Sequence, residues 1–169
     1  MAVKADGNWR SFRHRNYRIL FPANAASNIG TWAQRIAQDW LILQLTDNNG
    51  TYLGLVTAVQ FAPVLFFSLH GGVLADRVNK RKLLIATNFI GALSSLGLGI
   101  LVLLGQVQIW HVFFFALSLG ISSALDAPIR QSFTSEIVGH SDIANAVSLN
   151  SANFNAGRLV GPALSGFLI

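Results

Sequence analysis

The sequence predicts an all-α membrane protein with five membrane-spanning helices, on three observations. The 169-residue chain is 52% hydrophobic and only 11% charged, whereas soluble domains carry about 25% charged residues. Its mean hydropathy is +0.48. Five mostly apolar stretches are each long enough to cross a bilayer, which requires roughly 20 such residues.

The five predicted spans are separated by short polar segments. The first two cover about 19–45 and 52–75, with TDNNGT between them, and the next two cover about 83–104 and 109–131, with GQVQ between them. The fifth covers about 143–169 and follows SFTSEIVGHSD, where Ser141 or Asp142 is predicted to cap the helix. Residues 1–18 form a tail in front of the bundle, which comprises 19–169.

Positive charge is distributed unequally between the two sides of these spans. Nine basic residues precede the first span or lie between the second and third: Lys4, Arg10, Arg13, Arg15, Arg18, Arg77, Lys80, Arg81 and Lys82. The first and third loops contain none, so the N-terminus is expected in the cytoplasm. Charges grouped at span edges do not favour nucleic-acid binding.

Neither an enzyme nor a metal site is predicted. The chain has no cysteine, which excludes disulfides, thiolate zinc sites and a cysteine nucleophile. The four histidines lack metal-ligand spacing, and His14 is expected at the surface. No cofactor is expected.

The first span carries a polar stripe made of Asn24, Ser27, Asn28, Thr31, Gln34, Arg35, Gln38 and Asp39. At 100° per residue these positions fall within an arc of roughly 140°, so the stripe faces protein or water. Hydrogen bonding within a bundle core and the wall of a transport cavity both remain open. Arg35 and Asp39 are one turn apart and can pair. Asp39 is the only carboxylate deep in a span, which makes it the best candidate for a proton site.

The segment between the second and third spans resembles the signature loop of the major facilitator superfamily. From Gly72 to Arg81 it reads Gly-Val-Leu-Ala-Asp-Arg-Val-Asn-Lys-Arg, against the family pattern Gly-x-Leu-(Ala/Gly/Ser)-Asp-Arg-x-Gly-Arg-(Arg/Lys). Asn79 replaces Gly and can still adopt the positive φ of a turn. Lys80 replaces Arg and keeps the charge without the planar fork. The resemblance implies a gate formed by Gly72, Asp76, Arg77, Lys80 and Arg81.

GRLVGPALSG in the fifth span resembles the Gly-x-x-x-Gly-Pro motif of helix five in proton-coupled antiporters. Gly157 and Gly161 lie one turn apart and permit close approach of another helix, and Pro162 is expected to kink the helix. The motif ends in Ser165-Gly166, where the family has Gly-Gly. With WLILQLT and DAPIRQSF, the chain resembles the exporter branch that includes enterobactin exporters and macrolide efflux proteins.

The resemblance implies the N-terminal half of a twelve-helix transporter of the bacterial inner membrane, built from inverted three-helix repeats. It implies secondary active, proton-coupled efflux of a drug or siderophore-like molecule, with the proton gradient as energy source. The expected partners are that substrate, the bilayer and the C-terminal half, which is absent here together with the sixth helix. An importer of the same superfamily and a non-transporting structural or assembly protein remain alternatives.

The resemblance also implies roles for single residues. An acid at the end of helix four pairs with a base of the signature loop in this family, so Asp126 would meet Lys80 or Arg81, unless it pairs locally with Arg130. Independently of the resemblance, Arg158 is isolated in the fifth span beside Gly157, and it is expected either to contact an anionic substrate or to pair with Asp39. The cavity candidates are Asn28, Thr31, Arg35, Gln38, Asp39 and Arg158.

As a fragment, the chain is expected not to transport alone. A competing possibility is that two copies associate through the Gly157 and Gly161 surface.

Overall fold

The computed structural model describes residues 9–77 and 79–168, and for 68–77 it describes the backbone only. After a 3₁₀ helix at Arg10–Arg13, five α-helices follow: α1 (Arg15–Leu45), α2 (Gly50–Arg77), α3 (Lys80–Leu103), α4 (Ile109–Val138) and α5 (Ile143–Leu168). The described part contains no strand, in agreement with the predicted all-α class.

The predicted signature loop is mostly helical. Only residues 78 and 79 separate α2 from α3, so Lys80, Arg81 and Lys82 form the first turn of α3. Asn79 does not adopt the predicted positive φ: its φ is −68° and its side chain accepts a hydrogen bond of 3.1 Å from the backbone N of Lys82. An extended backbone at this position allows Asn79 to act as the N-cap of α3.

Helix α4 ends at Val138 and not near Gln131 as predicted. It contains Pro128 in its interior, so the proline does not end the helix. The polar segment from Ser132 onward therefore continues α4 by about two turns, and the turn follows at Gly139, which has a φ of 70°. Asp142 directly precedes α5, at the predicted N-cap position.

Three helices in the described part of the chain are long and apolar enough to cross a membrane: α2 over Gly50–Phe67, α3 and α4. Helices α1 and α5 are 31 and 26 residues long but are not among them. Both carry rows of Asn, Ser and charged side chains, which lower their hydropathy.

The bundle is held together mainly by α2 against α4, α1 against α5 and α3 against α4. Its main apolar core joins Ile42, Val56, Leu98, Val112 and Ala116 from four helices. Other large apolar side chains point outward, and Leu103 and Phe167 are 88% and 89% exposed. An outer surface of this kind suits a hydrocarbon environment.

Candidate substrate cleft and its flanking contacts

A cleft of about 680 Å³ lies between α1, α3, α4 and α5. Most of its lining side chains are polar, in contrast to the apolar outer surface of the bundle. The polar and charged residues that line it include Asn24, Ser27, Asn28, Thr31, Gln34, Arg35, Thr87, Asn88, Ser95, Ser122, Ser123, Asp126, Arg130, Gln131, Asn150, Ser151, Asn153 and Asn155. Four helices therefore turn hydrogen-bonding groups toward one space.

The polar stripe of α1 divides between this cleft and a contact with α2. Asn28, Thr31 and Arg35 line the cleft. Gln38 and Asp39 do not, because they face Gln60, whose Nε2 donates hydrogen bonds of 3.1 Å to Gln38 Oε1 and 3.4 Å to Asp39 Oδ1. Gln38 is fully buried, so this part of the stripe joins two helices.

Arg35 does not pair with Asp39, although the two residues are one turn apart. Within the described residues, no ion pair of 4.0 Å or less joins them. The guanidinium carbon of Arg35 instead lies 4.4 Å from the ring centre of Phe61 and 5.1 Å from that of Trp32. This arrangement is a cation–π contact. The Asp39 carboxylate accepts from Gln60 and attracts the Arg35 charge without direct contact.

Arg158 likewise has no ion pair with Asp39 in the described part of the chain. Its guanidinium carbon lies 5.7 Å from the ring centre of Trp32. The ring centre of Phe154 is 5.8 Å from that of Trp32, in an edge-on arrangement. Two arginines and two aromatic rings from α1 and α5 thus meet beside the cleft.

Of the two pairings that the sequence left open for Asp126, the structure contains the local one. Arg130 Nε donates a hydrogen bond of 2.5 Å to Asp126 Oδ2. The other carboxylate oxygen accepts from Thr87 and Asn88 at 3.1 and 3.2 Å. Arg130 also donates to Asn24, so this cluster links α1, α3 and α4 at the cleft.

Lys80 pairs with Glu136 of α4, which the sequence analysis had not considered. Glu136 is ten residues after Asp126, about 15 Å further along a helix axis, so Lys80 cannot serve both acids. The expected pairing of Asp126 with Lys80 is therefore wrong for this conformation, because α4 is longer than predicted. The side chains of Gly72, Asp76 and Arg77 lie outside the described residues.

The glycines of the helix-five motif contact α1. A Cβ atom on Gly161 would lie 2.6 Å from Trp32 Cβ, and one on Gly157 would lie 2.9 Å from Asn28 Cβ. Close helix approach at these two glycines is confirmed. In this structure α1 occupies the surface that the competing possibility assigned to a second copy. Pro162 lies inside α5, and a Cβ on Gly166 would meet open space.

The sequence analysis missed a cluster at the N-terminus, here named the N-terminal clasp and formed by Ser11, Arg13, His14, Asp142 and Asn145. Arg13 and His14 contact Asp142 Oδ2 at 2.8 and 2.9 Å, and Ser11 donates to Asn145 at 2.8 Å. Asp142 is only 1% exposed. The hydrogen bond with His14, followed by the charge of Arg13, lowers the pKa of the Asp142 carboxyl.

No local pattern could have indicated this cluster, because its partners are up to 134 residues apart. His14, expected at the surface, is in fact partly buried against Asp142. No group of three or more potential metal ligands occurs among the described residues.

Comparison with known proteins identifies the family. Residues 6–169 match the family described as transmembrane secretion effectors, a branch of the major facilitator superfamily. The chain belongs to this family. The predicted resemblance to the exporters of the superfamily is thereby confirmed, and the family together with the apolar helices shows a protein embedded in a membrane.

Several curated transporters are similar to this chain. It is 30% identical to the staphyloferrin A transporter of Staphylococcus aureus, over 90% of this chain and 38% of that protein. It is 28% identical to the multidrug efflux pump Tap of Mycolicibacterium fortuitum, over 89% of this chain and 38% of the pump. It is 21% identical to the enterobactin exporter EntS of Shigella flexneri, over 92% of this chain and 38% of the exporter.

The chain thus spans less than two fifths of the length of these relatives. No solved structure matches it.

Proposed function

We propose that the chain forms one wall of the substrate pathway of an exporter that works by alternating access. The observation that carries the proposal is the polar cleft between α1, α3, α4 and α5. Polar groups inside a membrane protein are costly unless they are paired or line a water-filled pathway. In major facilitator transporters, such a site alternates between the two sides as helix bundles rock around it. The relatives are named as transporters of a siderophore, as drug pumps and as exporters, which supports the same function.

In this proposal all five helices cross a bacterial inner membrane, with the N-terminus in the cytoplasm. At 1.5 Å per residue, α1 and α5 are about 46 and 39 Å long, which exceeds the roughly 30 Å hydrocarbon core. Their polar faces need not meet lipid, because they border the cleft or, at Gln38 and Asp39, contact α2. The orientation rests on the nine basic residues at one side of the bundle.

Two contacts at the same end of the bundle are proposed to stabilise the conformation described here. Lys80–Glu136 joins the first turn of α3 to the last turn of α4, and the N-terminal clasp joins the start of α1 to the start of α5. In the proposal, the gate function of Asp76 and Arg77 rests on the family resemblance, and proton transfer at Asp39 rests on its position as the only carboxylate deep in a predicted span. A proton gradient is the proposed energy source, with no bound cofactor.

The test blocks the cleft with a single bulky side chain. Gly91 lines the cleft, and a Cβ there would meet nothing within 4 Å. A side chain at position 91 can therefore start into the cleft without a clash at Cβ, and Gly91→Phe is expected to obstruct the cleft. Gly99 lies on the same helix outside the cleft and is equally open, so Gly99→Phe is the matched control.

Efflux is measured in everted membrane vesicles from cells that express this chain joined to the C-terminal half of the proposed transporter, with a panel of drugs and siderophores. We expect Gly91→Phe to lose efflux and Gly99→Phe to retain it at equal protein levels. Equal efflux from both variants would place the pathway elsewhere, and no efflux from the unaltered protein with both halves present would favour a non-transporting protein.

A further inference from the structure

An aromatic and cationic cluster borders the cleft, here named the Trp32 site and formed by Trp32, Arg35, Phe154 and Arg158. Trp32, Arg35 and Phe154 line the cleft directly. The guanidinium carbons of Arg35 and Arg158 lie 5.1 and 5.7 Å from the Trp32 ring centre. The site therefore combines two guanidinium groups with a large apolar surface.

Arg35 interacts with Asp39 only through longer-range electrostatic attraction, and no acid among the described residues contacts either arginine directly. Arg35 is only 7% exposed, and its Nε has no hydrogen-bond acceptor. No ion pair involves Arg35 or Arg158 in the described residues. Arg130, the third arginine of the region, is paired with Asp126. Removing a charge and its donors from water is unfavourable without an acceptor, so the Trp32 site is incomplete as it stands.

Asp39 is the acid nearest to Arg35 along α1, and it does not complete the site. Its Oδ1 accepts from Gln60 at 3.4 Å, and it does not line the cleft. Arg35 points instead to the aromatic rings of Phe61 and Trp32. The positive charge beside the cleft is thus available to a ligand.

We propose that the Trp32 site binds a carboxylate-bearing anionic substrate. Guanidinium groups match carboxylates in charge and in planar geometry, and the Trp32 and Phe154 rings offer contact area for the apolar or aromatic body of the ligand. The proposal rests on the proposed function insofar as the anion is a transported substrate. Anion binding itself rests only on the contacts above.

The test uses Trp32 as a fluorescent reporter. Trp9, Trp40 and Trp110 are 68%, 45% and 60% exposed, so each can be replaced by Phe to leave Trp32 as the remaining tryptophan of this chain. The full chain is placed in nanodiscs of phosphatidylcholine and titrated with isophthalate, a planar aromatic dicarboxylate. Dimethyl isophthalate is the uncharged control of nearly the same shape.

We expect isophthalate, and not its dimethyl ester, to change Trp32 emission saturably. Arg158→Gln should weaken binding by about tenfold or more, because hydrogen bonds to charged groups are among the stronger ones. Arg158 is exposed, so this variant is expected to fold, and Arg158→Lys should restore part of the affinity. Arg15→Gln removes an equally exposed arginine near the start of α1 and should bind isophthalate normally.

Equal binding of the ester, or unchanged binding by Arg158→Gln, would overturn the inference. A second titration in nanodiscs containing phosphatidylglycerol separates a soluble anion from a lipid headgroup. Loss of the isophthalate response there would show that a lipid phosphate occupies the site, which also overturns it.

The same variants separate this inference from the proposed function. Isophthalate binding by this chain, together with no solute movement even when the C-terminal half is present, would contradict export and leave anion binding intact. If the protein exports uncharged or cationic solutes and Arg158→Gln does not impair that export, the proposed export function is supported. The Trp32 site would then not be the substrate site of the exporter.

Discussion

Replacing Gly161 by alanine should separate α1 from α5. The added Cβ would lie 2.6 Å from Trp32 Cβ, 2.8 Å from the carbonyl oxygen of Ile29 and 2.9 Å from the backbone N of Ala33. None of these atoms can be moved by a rotamer change, so the helices must shift apart. That shift would also lengthen the 2.8 Å hydrogen bond from Ser165 Oγ to the carbonyl oxygen of Ala33.

The size of the effect follows from two opposing terms. Overpacking a well-packed contact costs about 1–3 kcal/mol, whereas alanine is favoured over glycine inside a helix by about 1 kcal/mol. Gly166→Ala is the matched control, because its Cβ would meet nothing within 4 Å. It should therefore show only the gain in helix propensity, without the cost of overpacking. The difference between the two variants should therefore be about 1–3 kcal/mol in the free energy of unfolding.

The measurement is equilibrium unfolding in mixed detergent micelles, followed by circular dichroism. Gly161→Ala should unfold at a lower denaturant concentration than the unaltered chain, and Gly166→Ala at an equal or higher one. If Gly161→Ala were as stable as Gly166→Ala, the close contact between α1 and α5 would be refuted.

Four further predictions concern charge and topology. Asp142→Asn should loosen the N-terminal clasp. Because folding lowers the pKa of this carboxyl, the carboxylate stabilises the folded state above its ordinary pKa of about 3.9, and this stabilisation is lost as the pH falls toward the folded value. Unfolding of the variant should therefore lose its acid dependence in that pH range. In a chain without cysteine, Asn49→Cys should react with an impermeant reagent from outside and Asn79→Cys should not; the reverse pattern would invert the topology. Asp76→Asn should abolish transport while the protein still inserts, and normal flux would leave the signature segment only a topological role. Asp39→Asn should alter the pH dependence of transport, and an unchanged profile would remove Asp39 as the proton site.

Local patterns in the sequence predicted the features that depend on periodicity and residue size. The apolar stretches predicted the helices, since a span needs a fixed number of apolar residues. The spacing of Gly157 and Gly161 predicted a close helix contact, since both fall on one face. The stripe on α1 predicted a face turned away from lipid, and Asn28, Thr31 and Arg35 do line the cleft.

Features that depend on partners distant in sequence could not be predicted in this way. Asp142 follows His14 by 128 residues and contacts it only because α5 packs beside α1. Arg35 had an obvious partner in Asp39, but aromatic rings from α1 and α2 compete for its guanidinium. The apolar stretch predicted an end for α4 near Gln131, yet the helix continues and brings Glu136 to Lys80. In each case tertiary packing decided between local alternatives.

The distribution of tight and polar contacts bears on which parts can move during transport. Each of the main helix pairs joins one of the first three helices to α4 or α5. In this superfamily the first three helices form one inverted repeat, and α4 and α5 belong to the next. Two of these pairs meet at glycines: Gly161 against α1, and Gly120, where a Cβ would lie 2.6 Å from the carbonyl oxygen of Gln60 in α2. Such contacts tolerate little sliding, because backbone atoms are already in contact. The proposed rocking is therefore expected between this bundle as a unit and the helices that face its cleft, while exposed polar contacts such as Lys80–Glu136 can open and close at one end.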